Sequence, residues 1–261
     1  MIRPLTKLVG ARTVQSDFDR YLTVTRKNKK TELRNQARLM NRDLVKLTAP
    51  TGNAPINESF NVQRQFGMRA IESDIRKLFK EFYDLQIIKE PTNQVLAMRL
   101  RAMAQRRDYE GIKRVLQNIG FPVLDVMEAP DEHLYELLRN KKGRITGNAA
   151  RRPVVVIARG SVAKLIKFKQ AKVGLGKSGW LHGADKLGLR GIPNWITRHN
   201  GDGSYYEKQS ADGDVITITI ANRVGHVQSS GKDNRIVDRA LQNRRRAWNE
   251  QIKAMLNNPQ F

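Results

Sequence analysis

The chain has 261 residues, 39% of them apolar and 28% charged, with no cysteine and four histidines. That balance allows a real hydrophobic core in one large domain or two small ones, and it excludes disulfides, thiolate chemistry and a wholly disordered chain. Forty-eight Lys and Arg against 25 Asp and Glu leave a net charge of +23, an excess that suits contact with polyanions over a wide area; the bland alternative is a soluble basic surface.

No apolar run approaches the roughly 18 residues that cross a bilayer. The opening MIRPLTKLVGARTV lacks the continuous apolar stretch of a signal peptide. The positive charge has no single tail: Arg26, Lys27, Lys29 and Lys30 form one dense cluster, followed by Arg106 and Arg107, Arg151 and Arg152, and Arg244 to Arg246.

Leu33, Ala37, Met40, Leu44 and Leu47 recur at helical steps, which predicts a helix with Thr31 at its start and an end at Ala49-Pro50-Thr51-Gly52. After a loop to about residue 61, Met68, Ile71, Ile75, Leu78, Phe79 and Phe82 predict a second helix. The middle third reads as short helices. Thr92 precedes one with Leu96, Leu100 and Met103; Asp108 caps one that stops at Gly120; Asp131 caps one closed by Gly143. Val154 to Ile157 is short, apolar and β-branched, the mark of a buried strand. Ile216, Ile218 and Ile220 alternate with threonines and predict a half-buried strand. Val237, Leu241, Trp248, Ile252 and Met255 line one face of a final helix, with the arginines largely on its other sides.

The expected fold is therefore α+β: long N-terminal helices, a helical middle insertion, and a small, mostly antiparallel sheet packed by helices that include the C-terminal amphipathic one. The corresponding division is 1–83, helical; 84–143, a helical insertion or subdomain; and 144–261, an α+β part completing the core with 31–83.

Residues 171–178, AKVGLGKS, match a relaxed phosphate-loop pattern. A working phosphate loop follows a buried strand, which gives its backbone N–H groups a rigid base. Here the preceding SVAKLIKFKQ carries three lysines and fits a helix, with Ser161 as its cap. No metal-holding acid follows a downstream strand, and the remaining chain is short for a nucleotide-hydrolase core. The match therefore reads as a coincidence. If the helix ran on, Gly174, Gly176, Gly179 and Gly183 would lie inside it, at about 1 kcal/mol each relative to alanine. Either the helix breaks near Gly174 or these glycines admit another backbone.

His133, His182, His199 and His226 show no metal-ligand spacing. His199, in ITRHNGDG, invites a nuclease reading but lacks a supporting residue at a useful spacing, and a loop histidine is the simpler role. No serine-nucleophile elbow is present. The residues point to no enzyme, metal or cofactor.

The stretch VGLGKSGWLHGADKLGLRGIPNWITRHNG resembles a glycine, tryptophan and Pro-x-Trp pattern of minor virion proteins of tailed bacteriophages. ITIANRVGHVQ, leading to a C-terminal helix, and the helix end LTAPTG are similar to elements of the tail-completion, or head–tail neck, family. The likeness covers parts of 31–52 and 154–257. It implies a non-catalytic α+β subunit that forms a homo-oligomeric ring in the virion, is assembled in the host cytoplasm, and touches connector, adaptor and tail proteins. Non-specific DNA contact is an added option and a membrane is not expected. The alternative from another class is a non-specific nucleic-acid-binding protein. On either reading Arg26, Lys27, Lys29, Lys30, Arg244, Arg245 and Arg246 are candidates for contact with nucleic acid or an acidic partner. Trp180, Trp195 and Trp248 are candidate interface anchors, with core packing as their other role.

Overall fold

A computed structural model describes residues 19, 23, 29–51, 53–89, 93–138, 145, 151–210, 216–225 and 233–256. In chain order these form α1 (Lys29–Leu47), α2 (Phe60–Leu78), β1 (Phe79–Glu81), a 3₁₀ turn (Phe82–Asp84), α3 (Gln86–Lys89), α4 (Gln94–Gln105), α5 (Tyr109–Asn118) and α6 (Glu132–Leu137). After these come β2 (Val154–Val156), α7 (Ser161–Ala171), α8 (Leu175–Ser178), α9 (Leu181–Lys186), α10 (Asn194–Thr197), β3 (Gly203–Gln209), β4 (Ile216–Asn222) and α11 (Asp233–Leu256). The fold is α+β, as the sequence predicts. Its strands make one parallel pair, β1 with β2, and one antiparallel pair, β3 with β4. Among the described residues no helix is long and apolar enough to cross a membrane.

The chain divides into two compact units, one formed by 1–64 with 173–261 and the other by 65–172. The helical middle stretch, 84–143, lies wholly inside the second unit, which also takes in β1, β2 and α7.

In the second unit β2 lies between β1 and the segment around Val123, with Leu124 N–H donating to the Val155 carbonyl at 2.9 Å and Val155 N–H to the Pro122 carbonyl at 2.8 Å. Alternate residues of a strand point to opposite faces, and this explains why VVVI is apolar throughout. Val154 and Val156 enter one core with Ile75, Leu78, Tyr135 and Leu165. Val155 and Ile157 enter another with Phe82, Leu100, Ile112 and Leu116. Asp108 and Asp131 cap α5 and α6 as their sequence positions predict, accepting from Gly111 N–H at 2.8 Å and Leu134 N–H at 2.7 Å. Lys169 of α7 and Lys172, just past its end, grip Glu132 of α6 at 2.9 and 2.5 Å. Hydrogen bonds from these two ammonium groups hold the Glu132 carboxyl below its usual range.

Several boundaries differ from the sequence reading. α1 has already begun at Lys29, so Thr31 sits within its first turn instead of capping it. Helical periodicity carries on through Phe79 and Phe82, yet the chain leaves the helix after Leu78 because Phe79 pairs with Val154 in the sheet. The cap of α7 is Gly160, whose N–H is taken by Glu81 at 2.9 Å; Ser161 is the first helical residue and turns its hydroxyl back to the Ala158 carbonyl at 2.7 Å. α6 ends at Leu137, and Gly143 lies outside the described residues.

In the first unit the β3–β4 hairpin, α1, α9 and α11 pack together. Its register pairs Gly203 with Asn222 and Gln209 with Ile216. β3, with the sequence GSYYEKQ, has only half-buried and exposed side chains and no apolar alternation to announce it. α11 is held to α1 by an ion pair, Arg244 Nε to Asp43 Oδ2 at 2.9 Å, with Asp43 fully buried and the Arg244 side chain 13% exposed. Burial lifts the Asp43 carboxyl above its usual range, against the pull of Arg244.

Replacing Arg244 with Met should therefore cost about 3–5 kcal/mol near neutral pH, because the partner carboxylate is left buried and alone. The cost should shrink in acid. A carboxyl with a raised folded-state pKa binds more protons folded than unfolded, so its burden on stability eases as pH falls. Urea midpoints of wild type and Arg244→Met between pH 4 and 8 check both the size and the sign.

Candidate functional site

The Gly-Lys-Ser segment lies wholly within the first unit. α7 ends at Ala171, and the chain turns through Gly174, whose φ of +104° is a left-handed conformation that side chains rarely adopt. The short helices α8 and α9 follow. Both possibilities left open by the sequence are realised: the helix breaks at Gly174, and the later glycines admit neighbours. A Cβ on Gly179 would stand 2.1 Å from the Asn222 side-chain oxygen, and one on Gly203 would stand 1.8 Å from the Gly179 carbonyl. This segment and the hairpin thus approach at backbone distance.

Lys177 is completely buried. Its Nζ donates to the carbonyls of Val45 at 2.7 Å and Lys46 at 3.3 Å, to the carbonyl of Thr48, and to Gln63 Oε1 at 3.0 Å. These carbonyls belong to the C-terminal end of α1, which has no intrahelical donors left to satisfy it and carries the negative end of the helix dipole. The lysine therefore acts as a C-terminal cap reaching in from elsewhere in the chain, and it faces no phosphate. Burial first, and then the nearby Lys46 charge, push its amine down to about 7.

Neighbouring groups complete the cradle. Gln63 Nε2 donates to Pro55 O at 2.8 Å and Lys46 O at 3.2 Å, while Trp180 Nε1 donates to Thr48 Oγ1 at 2.8 Å. Asn222 Nδ2 donates to Gly176 O at 2.7 Å. His199, the nuclease candidate, lies with Nε2 2.9 Å from the Val173 carbonyl, where it ties down a loop. His133 and His182 are exposed, and His226 lies outside the described residues. Among the described residues no three His, Asp or Glu side chains gather as a metal site.

The remaining candidate residues separate by position. Arg26 and Lys27 lie outside the described residues; Lys29 opens α1, and Lys30 Nζ donates to Gln209 Oε1 at 3.1 Å. Arg244 faces inward to Asp43, which corrects its place among the partner-contacting arginines: its charge is committed to the fold. Arg245 and Arg246 are exposed. The three tryptophans are buried, Trp180 at 4%, Trp195 at 5% and Trp248 at 7% exposure, so core packing, the second of their two roles, is what they do within this chain.

Sequence reasoning missed Lys177 as a cap, along with Gln63, Asp43 and Asn222, because each works through partners far along the chain. The second unit holds a cleft of about 460 Å³ lined by Arg76, Lys80, Glu81, Asp84, Lys89 and Arg159. Two of its cations are paired locally, Lys89 with Asp84 at 2.6 Å and Arg76 with Glu72 at 2.8 Å. No protein-family model, no curated protein and no solved structure matches the chain.

Lys177→Met should destabilise the protein by about 3 kcal/mol or more, because each buried acceptor left without a donor costs about 1–3 kcal/mol. Between pH about 7 and 10.5 the unfolded chain holds a proton that folded Lys177 has released, so stability in that window rises with pH. Chemical denaturation across it should find this rise in wild type and a flatter profile in Lys177→Met. Gly179→Ala should also destabilise, since its methyl group collides with the Asn222 side chain.

Proposed function

We propose that this chain is a structural protein of a tailed-phage virion, placed at the head–tail neck, where it assembles as a ring and meets the connector and tail proteins. The observation that carries the reading is the use made of the stretch that bears the resemblance. In residues 174–199 the lysine caps a helix, Gly179 admits the hairpin, and Trp180 and Trp195 fill the core. A segment committed in this way to holding a small polar fold together suits a scaffold subunit. The charge of +23 suits a subunit working beside packaged DNA and acidic neighbours.

The chain should be found by mass spectrometry in purified particles of the phage that encodes it, and imaging should locate it in a closed ring at the head–tail joint. Light scattering of the purified chain, alone or with connector protein, should give a discrete multimer. Absence from purified particles, together with a monomer under every mixing condition, overturns the reading.

A further inference from the structure

α11 divides its charge between two opposite faces. At about 100° per residue, Ala240, Arg244 and Trp248 fall on the side turned to the core; Ala240 and Trp248 are buried and Arg244 is bound to Asp43. About 180° away, Arg235, Arg239, Arg246 and Lys253 fall within about 40° of one another. All four are exposed, and none is in an ion pair among the described residues. Gln242 and Asn249 fill the same strip and are exposed too. The acids of the helix interior, Asp238 and Glu250, lie at its margins.

We propose that this outer strip of α11 is a contact surface for the phosphate backbone of duplex DNA, bound without sequence preference. The four cations span about 27 Å of helix at 1.5 Å per residue, and duplex DNA presents one charge every ~1.7 Å along its axis. A stretch of duplex as long as the strip therefore carries about 16 phosphates, several for each of the four cations. Arginine, lysine and side-chain amides are the groups that donate to phosphate oxygens. The strip carries no aromatic ring on which single-stranded bases could stack. The apolar face that would enter a lipid surface is turned instead into the fold. This inference goes beyond the neck assignment, because it concerns the isolated chain and holds or fails without any particle.

The test is binding of the full chain to a random-sequence DNA duplex at several salt concentrations. It compares wild type with Arg235→Gln/Arg239→Gln/Arg246→Gln/Lys253→Gln and with a charge-matched control on the second unit, Arg99→Gln/Arg106→Gln/Lys164→Gln/Lys167→Gln. Circular dichroism and size exclusion verify that both variants fold, as expected for changes at exposed positions. Four lost phosphate contacts should reduce the slope of log affinity against log salt by about 3.6, with affinity at low salt falling more than 100-fold, while the control stays near wild type. Equal losses in both variants would mean that net charge alone is read, and would overturn the proposal. So would an unchanged slope in the strip variant, tighter binding to single strands than to duplex, or displacement of the duplex by polyglutamate at equal charge.

Discussion

The C-terminal end of α1 is the point on which the first unit turns. A helix that stops inside a protein leaves carbonyl oxygens with no partner, and burying them bare is costly. Here the donor is an amine delivered from α8, more than 120 residues later in the chain, with Gln63 bound both to that amine and to the Lys46 carbonyl it serves. Remove the amine and the end of α1, the loop that follows it and the position of α8 all lose their common fixture. The break at Gly174 and the bare backbone at Gly179 are the local conditions that let the amine arrive.

The same helix sets the character of the rest of the unit. Its buried face is unusually polar, with Glu32, Gln36, Asn41 and Asp43 all withdrawn from water. Each needs a specific answer: Gln36 donates to Glu32 at 2.6 Å, Asn41 to the Trp180 carbonyl at 3.3 Å, and Arg244 to Asp43. A core built this way specifies its neighbours by hydrogen-bond geometry, whereas the second unit is organised by apolar strands with a hydrophobic core on each face.

What the sequence reveals follows the range of the interaction involved. Asp108 and Asp131 act on residues three positions away, so their capping role is visible by inspection. The alternation of Ile216, Ile218 and Ile220 and the apolar face of α11 are equally local and equally visible. β3 escapes notice because GSYYEKQ is mostly polar and takes its conformation from pairing with β4. Phe79 and Phe82 keep a helical period after the helix has ended, since the sheet that claims Phe79 is formed with residue 154. Lys177 is the extreme case. Three letters suggest a nucleotide site; the helical segment before them argues against one, but only the distant carbonyls that surround the amine show what it does instead. Among the arginines of α11, composition treats 244, 245 and 246 alike, whereas one residue of rotation separates an internal ion pair from an exposed charge.

The bond between Lys177 and Gln63 has a further bearing on how such a chain could arise. Gln63 stands just before the path departs into residues 65–172, and Lys177 just after it comes back. Departure and return are thus joined inside the parent body, which keeps its own connectivity however long the excursion becomes. Such a closed junction pins the two ends of the excursion near each other, so that its length can change at a loop-closure cost that grows only slowly.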